Sequence, residues 1–186
     1  MAASTFAVAL WADAATARYD QVECSKIALR FDDAKYTTIC YTGTVEQMSD
    51  SGEEFRFDYE ELVAYGKGYE YEGTAQLLRL ARYRSFAGTI IHRISVERYV
   101  SELPWLVSTR NWEPELEIEG YRVQLVEARR PGMGGYDTCA GLVRQEGGLR
   151  GDLEMFTQMV GGFFCYPTGG DDLIAHLKPF LASIRY

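Results

Sequence analysis

Two stretches near the C-terminus decide the fold: Tyr136-Asp-Thr-Cys-Ala-Gly-Leu-Val143 and Val160-Gly-Gly-Phe-Phe-Cys-Tyr-Pro167. Within them, residues 136–143 and 163–166 are short apolar runs, which is typical of buried strands. Each run holds one cysteine, and a buried cysteine behaves as a small apolar side chain. We predict that Cys139 and Cys165 lie in neighbouring strands that a disulfide joins. The region is then scaffold and not an active site.

Two helices are predicted, one before residues 163–166 and one after them. Residues 151–160 carry apolar side chains at helical spacing, and two glycines end the run. The apolar residues are Leu153, Phe156, Met159 and Val160, and the glycines are Gly161 and Gly162. The final helix begins at the N-cap residue Asp171, and Ile174, Leu177, Leu181 and Ile184 line its apolar face. Pro179 predicts a kink or an interruption in that helix, because proline lacks the N–H of a helix interior.

The sequence upstream predicts mainly antiparallel strands. Strands are expected at 27–31, 36–41, 55–59 and 88–96, and a hairpin at 116–126 turns at Glu119 and Gly120. A turn is expected at 32–35, an exposed loop at 46–54, and an amphipathic helix at 74–85 with Thr74 as its cap. A helix at 95–103 is the alternative to the end of the strand at 88–96. We therefore predict an α+β fold. It is a single domain, mainly antiparallel sheet, with two or three helices packed on one face and a C-terminal helix.

Charge restricts the classes of partner. The 186 residues include 19 basic and 27 acidic side chains, so the formal net charge is −8. A chain without a Lys/Arg run lacks the positive surface that nucleic acids and anionic membranes attract. No transmembrane span is expected after the N-terminus, since no apolar run there reaches about 18 residues. The charge fits a solvated surface, or a basic protein partner approached with electrostatic help.

The first 17 residues have features of a shortened signal peptide. Residues 6–11 are an unbroken apolar run, and Ala15-Thr-Ala17 has the small-x-small pattern of a signal peptidase site. A basic segment before the apolar run is missing, so a packed N-terminal strand or helix is the alternative. We expect a leader at 1–17, a single domain at 18–186, and a periplasmic or secreted location.

The cysteines support export. An even number of cysteines in an exported protein predicts disulfides, and all four cysteines follow residue 17. Three pairings are possible, and proximity in sequence favours Cys24–Cys40 and Cys139–Cys165. The alternative is four buried, reduced thiols in a cytosolic protein. Zinc is disfavoured because there is no Cys-x-x-Cys pair and neither histidine neighbours a cysteine.

Candidate binding residues lie in and beside two glycine-rich loops. Tyrosine buries a large area at low entropic cost and is therefore common at binding surfaces. The candidates are Tyr65, Tyr69 and Tyr71 in the loop at 65–73, and Arg129, Arg130 and Tyr136 in and beside the loop at 129–135. A β-turn with packed tyrosines is the alternative for the first loop. The second loop lacks the lysine and Ser/Thr of a phosphate-binding loop.

We expect no catalytic residue, no metal site and no cofactor. His92 lies in a strand pattern, and His176 lies off the apolar face of the final helix. These two histidines form neither a His-Glu-x-x-His metal site nor part of a Gly-x-Ser-x-Gly serine site. One basic concentration, formed by Arg79, Arg82, Arg84, Arg93 and Arg98, fits a solvated helix face better than a groove for an anion.

These observations predict an exported protein of the bacterial envelope that binds or inhibits a protein partner, as an immunity protein does. The acidic charge is compatible with a basic partner. One alternative is a periplasmic hydrolase that uses a pair of carboxylates. Another is a structural subunit of an envelope assembly, which an exposed edge strand or apolar patch would favour.

Overall fold

The computed structural model describes residues 18–30, 36–48, 54–66, 77–85, 93–103, 106, 108–129, 134–147, 149–150, 153–154, 156–165 and 170–186. The strands are β1 Arg18–Val22, β2 Tyr36–Met48, β3 Glu54–Gly66, β4 Leu77–Ser85, β5 Ser108–Arg110, β6 Leu116–Ile118, β7 Tyr121–Arg129, β8 Asp137–Glu146, β9 Leu149–Arg150, β10 Leu153–Glu154 and β11 Gln158–Cys165. The helices are α1 Val96–Ser101 and α2 Gly170–Ser183.

Nine of these strands form one antiparallel sheet in the order β1-β2-β3-β4-β11-β8-β7-β5, with β6 also paired to β7. The last long strand of the chain, β11, lies in the interior of the sheet between β4 and β8. Its residues from Met159 to Cys165 are all buried. A strand that is covered on both faces has no polar side, so its sequence is a continuous apolar and glycine run.

Each face of the sheet has its own core. Successive residues of a strand point to opposite faces. Leu142 and Phe164 belong to one cluster, which α2 covers. Val143 and Phe163 belong to the other, which α1 covers. The prediction that the helices pack on one face is therefore not confirmed, because the two described helices lie on opposite faces.

Helix α1 lies against two glycines of the sheet. Ser95 caps it, since its hydroxyl accepts a hydrogen bond from the Arg98 N–H. A Cβ at Gly141 would lie 2.5 Å from Val100 Cγ2, and a Cβ at Gly161 would overlap the Tyr99 ring. The helix therefore packs at this distance only because both strand positions lack a side chain.

Helix α2 closes the other face. Its buried side chains include Leu173, Leu177 and Leu181, and the Phe180 ring stacks on Phe164 with centroids 5.3 Å apart. The helix continues through Pro179 without an interruption. The predicted apolar face is confirmed at Leu177 and Leu181, which are buried, while Ile174 is half-buried. Ile184 is buried too, but it lies one residue beyond the end of the helix.

Several other predictions are confirmed. Where they are described, the two stretches that decide the fold contribute to β8 and β11. The hairpin at 116–126 is β6–β7, and the aromatic stretch at 55–59 belongs to β3. The alternative helix at 95–103 corresponds to α1. The strand predicted at 88–96 is wrong where it is described, since residues 93–95 have no regular structure and Val96 begins α1. The loop predicted at 46–54 is longer than the segment between the two strands, because β2 extends to Met48 and β3 begins at Glu54.

Two predicted helices are strands. Residues 77–85 form β4, and the region predicted as a helix at 151–160 contains β10 and the start of β11. Strand β4 lies inside the sheet and is still rich in arginine, because Arg82 and Arg84 pair with acids on β3. This mixture of apolar and basic residues resembles the sequence of an amphipathic helix. Gly161 and Gly162 do not end a helix; they lie inside β11.

The strand predicted at 27–31 is also wrong, where it is described. Ile27 and Leu29 are both buried, but this segment is not a strand of the sheet. The N–H groups of Ala28 and Leu29 donate to the Glu60 carboxylate, and Arg30 forms a single β-bridge with Arg185. Ile27 and Leu29 are therefore buried because they pack onto the core that α2 covers, and not because they belong to a strand. The two strands that pair with β2 are β1 and β3.

We predict that Gly161→Ala lowers the free energy of unfolding by about 1–3 kcal/mol, because the added methyl displaces the Tyr99 ring and α1 with it. Gly135→Ala is the matched control, since Gly135 is exposed and a Cβ there meets nothing within 4 Å. Denaturant unfolding measures both variants. Equal stability of the two would contradict the close packing of α1 on β11.

Candidate functional site

The candidate site is an edge of the sheet formed by residues 108–118, here named the outer edge. Strands β5 and β6 both pair with β7, on the side that β8 does not occupy. Between them the chain remains beside β7: the Glu113 N–H donates to Leu125 O at 3.0 Å, and Gln124 Nε2 donates to Glu113 O at 2.9 Å. Within the described residues, β6 pairs with no strand besides β7.

A tight turn fixes the register of β6. Glu119 has φ 52° and Gly120 has φ 76°, which are the positive values of a type I′ two-residue hairpin turn. Ile118 therefore lies opposite Tyr121, and Leu116 lies opposite Val123. Asn111, with φ 54°, is the other non-glycine residue of the described chain in this conformation, and it lies where the outer edge leaves β5.

The middle of the outer edge is acidic and exposed. Glutamate occupies every second position of the sequence Glu113-Pro-Glu-Leu-Glu-Ile-Glu119, and all four glutamates are exposed. Leu116 is 42% exposed and is the only exposed large apolar side chain among the described residues. Glu115 Oε2 lies 3.8 Å from Arg122 NH1. Acidic groups and one exposed apolar side chain are therefore combined on residues 113–119, of which 116–118 form β6.

A cation–aromatic stack lies at the start of the outer edge. The Arg110 guanidinium is 3.9 Å from the centroid of the Tyr136 ring, and that of Arg129 is 6.0 Å from it. Ser108 Oγ and the Tyr136 hydroxyl share a hydrogen bond of 3.0 Å. Such stacks hold an aromatic ring at the surface in one orientation.

Arg110 also sets the charge of its neighbour. Arg110 Nε donates to Glu127 Oε2 at 2.7 Å. This hydrogen bond, followed by one from Asn111, lowers the pKa of Glu127 below its usual value of 4.5. The carboxylate therefore stays ionised to a lower pH than a free glutamate side chain does, which suits its ion pair with Arg110.

The structure brings two of the six predicted binding residues together. Arg129 is exposed at the end of β7 and Tyr136 is half-buried beside it. Tyr65 lies in β3, in another part of the sheet. Tyr69, Tyr71 and Arg130 lie outside the described residues, as do His92 and the leader at 1–17.

Charged side chains also meet on the α2 face of the sheet, at Glu60. Its carboxylate accepts hydrogen bonds from Ala28 N–H at 3.1 Å, from Leu29 N–H at 3.0 Å and from Arg82 at 3.2 Å. Arg82 also donates to Gln158 Oε1 at 3.0 Å. These contacts fasten the segment 27–30 to the sheet, so we assign them to the scaffold. The basic concentration of the sequence is therefore not an open groove at Arg82 or at Arg84, which pairs with Asp58.

A second charged group holds the residues that follow α2. The Arg144 guanidinium lies 5.5 Å from the Tyr121 ring centroid and 5.6 Å from that of Tyr186. Glu146 Oε1 accepts from Arg144 at 2.7 Å and from the Tyr186 hydroxyl at 2.8 Å. Burial first, and then the hydrogen bond to Glu146, raise the pKa of Tyr186, and burial raises the pKa of Tyr121. Both hydroxyls are therefore neutral members of a structural cluster, in which that of Tyr186 donates to Glu146.

Both predicted disulfides are present. Cys24 is bonded to Cys40 and Cys139 to Cys165, across 16 and 26 residues of sequence, and the chain has no free cysteine. Cys139 and Cys165 are directly opposite each other on β8 and β11. The prediction that this bridge joins neighbouring strands is confirmed, although no helix separates them.

Searches for other features and for relatives add three findings. The described part of the chain holds no group of three His, Cys, Asp or Glu residues that could hold a metal ion. No helix among the described residues has the length and apolar character needed to cross a membrane. The chain matches no family model, no curated protein and no solved structure.

Sequence reasoning missed the acidic edge although its signal is visible. The alternation at 113–119 is the period of a strand with one charged face. The turn at Glu119 and Gly120 was recognised, but whether β6 is an edge depends on the order of the strands. That order is a long-range property that alternation within one hairpin does not carry.

We predict that Arg110→Ala raises the pKa of Glu127 towards its usual value, because the hydrogen bond that stabilises the carboxylate is lost. The pKa of Glu127 is lowered in the folded state, so this pair stabilises the fold above the unfolded pKa, and the contribution disappears as the pH falls through the folded pKa. Carboxyl-carbon NMR titration measures the shift. Arg98→Ala, which removes the pair with Glu102 on α1, is the control and leaves Glu127 unchanged. An unchanged pKa in Arg110→Ala would contradict the pairing.

Proposed function

We propose that the chain is an exported protein of the bacterial envelope that binds a basic protein partner and blocks it, as an immunity protein or inhibitor does, and that it catalyses no reaction. The outer edge carries this proposal: β6 pairs with no other described strand besides β7, and residues 113–119 around it present four exposed glutamates and Leu116. A strand at the edge of a sheet presents unpaired backbone N–H and C=O groups with which another chain can pair.

The two disulfides support an oxidising compartment. Disulfides persist in the periplasm and outside the cell, and are rare in the reducing cytosol. Each bridge here ties a part of the sheet: Cys24–Cys40 holds the turn after β1, and Cys139–Cys165 holds β8 to β11. A protein that works by occupying a site benefits from a rigid surface, because less conformational entropy is lost on binding.

Charge supports the choice of a basic partner. The whole chain has a net charge of −8, and the glutamates of the outer edge belong to the exposed part of it. Opposite charges accelerate the encounter of two proteins and orient them before contact. Binding of this kind weakens as salt screens the charges.

A free edge strand also favours a second function, that of a structural subunit in an envelope assembly. In a homopolymer, the acidic outer edge would meet copies of the same negatively charged chain, and this repulsion opposes assembly. The second function therefore requires a different, basic subunit. The two functions differ in whether the captured partner loses an activity or joins a larger complex.

We predict that the purified chain captures one basic protein from periplasmic extract of its own bacterium, or of a competing one, at equal stoichiometry in low salt. The same capture fails in about 1 M salt, where the screening length falls to roughly 3 Å. Quantitative mass spectrometry identifies the partner, and its activity is then measured with and without an equimolar amount of the chain. Loss of the partner's activity supports inhibition. Recovery of no stoichiometric partner by folded, oxidised protein would contradict the proposal.

A further inference from the structure

We propose that the outer edge recognises its partner by strand addition: an extended, basic segment of the partner pairs antiparallel with residues 115–117 of the chain. This inference rests on the proposed function for the existence of a protein partner, and adds the surface and the chemistry of the recognised segment. Its three supports are the backbone of β6, the side chains on its two faces, and the charge of the edge.

The backbone of β6 is ready to accept another strand. In an antiparallel ladder, residues alternate between those that bond to the neighbour and those whose N–H and C=O point away from it. The two-residue turn makes Ile118 and Tyr121 a hydrogen-bonded pair, and Leu116 and Val123 the next one. The N–H and C=O groups of Glu117 therefore point outward. Continuing the same alternation by one pair would place those of Glu115, the residue before β6, outward as well, about 7 Å away. An added strand bonds to both residues through its own alternate residues.

The two faces of β6 define the side chains of the added strand. Directly opposed residues in a ladder point to the same face. Glu117 lies opposite Arg122, and Glu115 contacts the same arginine, so the glutamates share one face. Leu116 and Ile118 share the other. The recognised segment therefore alternates basic residues, opposite the glutamates, with apolar residues that cover Leu116.

Charge selects a basic segment over a second copy of this chain. The four glutamates at 113, 115, 117 and 119, together with Arg122, leave a net charge of −3 on this hairpin edge. Arg122 is further engaged by Ile94 O at 2.7 Å and Gln145 Oε1 at 2.8 Å, which draws it towards α1. Like charges directly opposite each other destabilise a sheet, so the edge rejects itself and other acidic strands.

Pro114 limits the length of the site. Next to it, the Glu113 N–H bonds to Leu125 O, so the outer edge is irregular before residue 115. Proline and irregular pairing are common means of protecting sheet edges from unwanted pairing. They leave a short regular edge at β6, residues 116–118, which suits recognition of a brief segment and disfavours the extended pairing that leads to aggregation.

The test uses a fluorescent nine-residue peptide of alternating lysine and valine as the probe, with the full-length oxidised protein. Fluorescence anisotropy measures its dissociation constant, and amide hydrogen exchange measures protection at Glu115 and Glu117. The first comparison peptide has the same composition with all lysines before all valines. Two further peptides retain the alternating sequence and carry N-methyl groups on either the lysines or the valines, because N-methylation removes a backbone donor without changing the charge.

The expected results follow from the pairing. The alternating peptide binds at least about tenfold more tightly than the block peptide, a difference of about 1.4 kcal/mol. Methylation of the lysines abolishes this preference, since residues opposite the glutamates direct their N–H groups to β6, whereas methylation of the valines preserves it. The amides of Glu115 and Glu117 become protected. Equal binding of all four peptides, or no protection at these amides, would overturn strand addition and indicate charge attraction alone.

Variants of the chain separate this inference from the proposed function. Glu117→Lys is expected to weaken peptide binding by about tenfold. Glu23→Lys makes the same charge change at an exposed residue beside β1 and has less than a twofold effect. If Glu117→Lys still captures the basic partner as wild type does, strand addition at β6 is wrong while the proposed function stands. Failure of the wild-type chain to capture a partner, with the peptide results intact, overturns the proposed function alone.

Discussion

The structure depends on the register in which β11 lies between β4 and β8. Cys165 lies directly opposite Cys139, and the disulfide between them holds the two strands in this register. A slip of one residue would exchange the two faces of β11. The glycine at position 161 would then no longer face Tyr99, and Phe164 would no longer face Phe180. One covalent bond and one register therefore determine how both helices pack.

The rest of the molecule follows from this interior strand towards the two edges. On the β4 side, Glu60 and Arg82 fasten the segment 27–30, and on the β8 side, Arg144 and Glu146 hold Tyr186. The charges in the middle of the sheet are thus engaged in holding peripheral segments. Beyond β8, strand β7 carries the outer edge with its exposed glutamates. The scaffold and the proposed binding surface are separate parts of one sheet.

Local sequence patterns predicted the elements whose determinants are local. The turn at Glu119 and Gly120, the Ser95–Leu103 spacing of α1, and the two cysteine-containing strands all correspond to features of the structure. The helices expected in place of β4 and β10–β11 were wrong. Strands β4 and β11 lie in the interior of the sheet, where both faces are covered and no simple alternation results, and Arg82 finds its partner 22 residues away. The outer edge was missed for a related reason. Whether a strand lies at an edge depends on the order of all strands in the sheet, and the spacing of apolar residues within one strand does not contain that order.

Disulfide mapping of the oxidised protein tests the register and the compartment together. The protein is isolated without reductant from the compartment in which it accumulates, its thiols are blocked, and it is digested and analysed by mass spectrometry. The structure predicts an intact mass four hydrogens below that of the reduced chain, with peptides linked as Cys24–Cys40 and Cys139–Cys165. A bridge between either member of the first pair and either member of the second would contradict the sheet described above, and four blocked thiols would contradict an exported, oxidised protein.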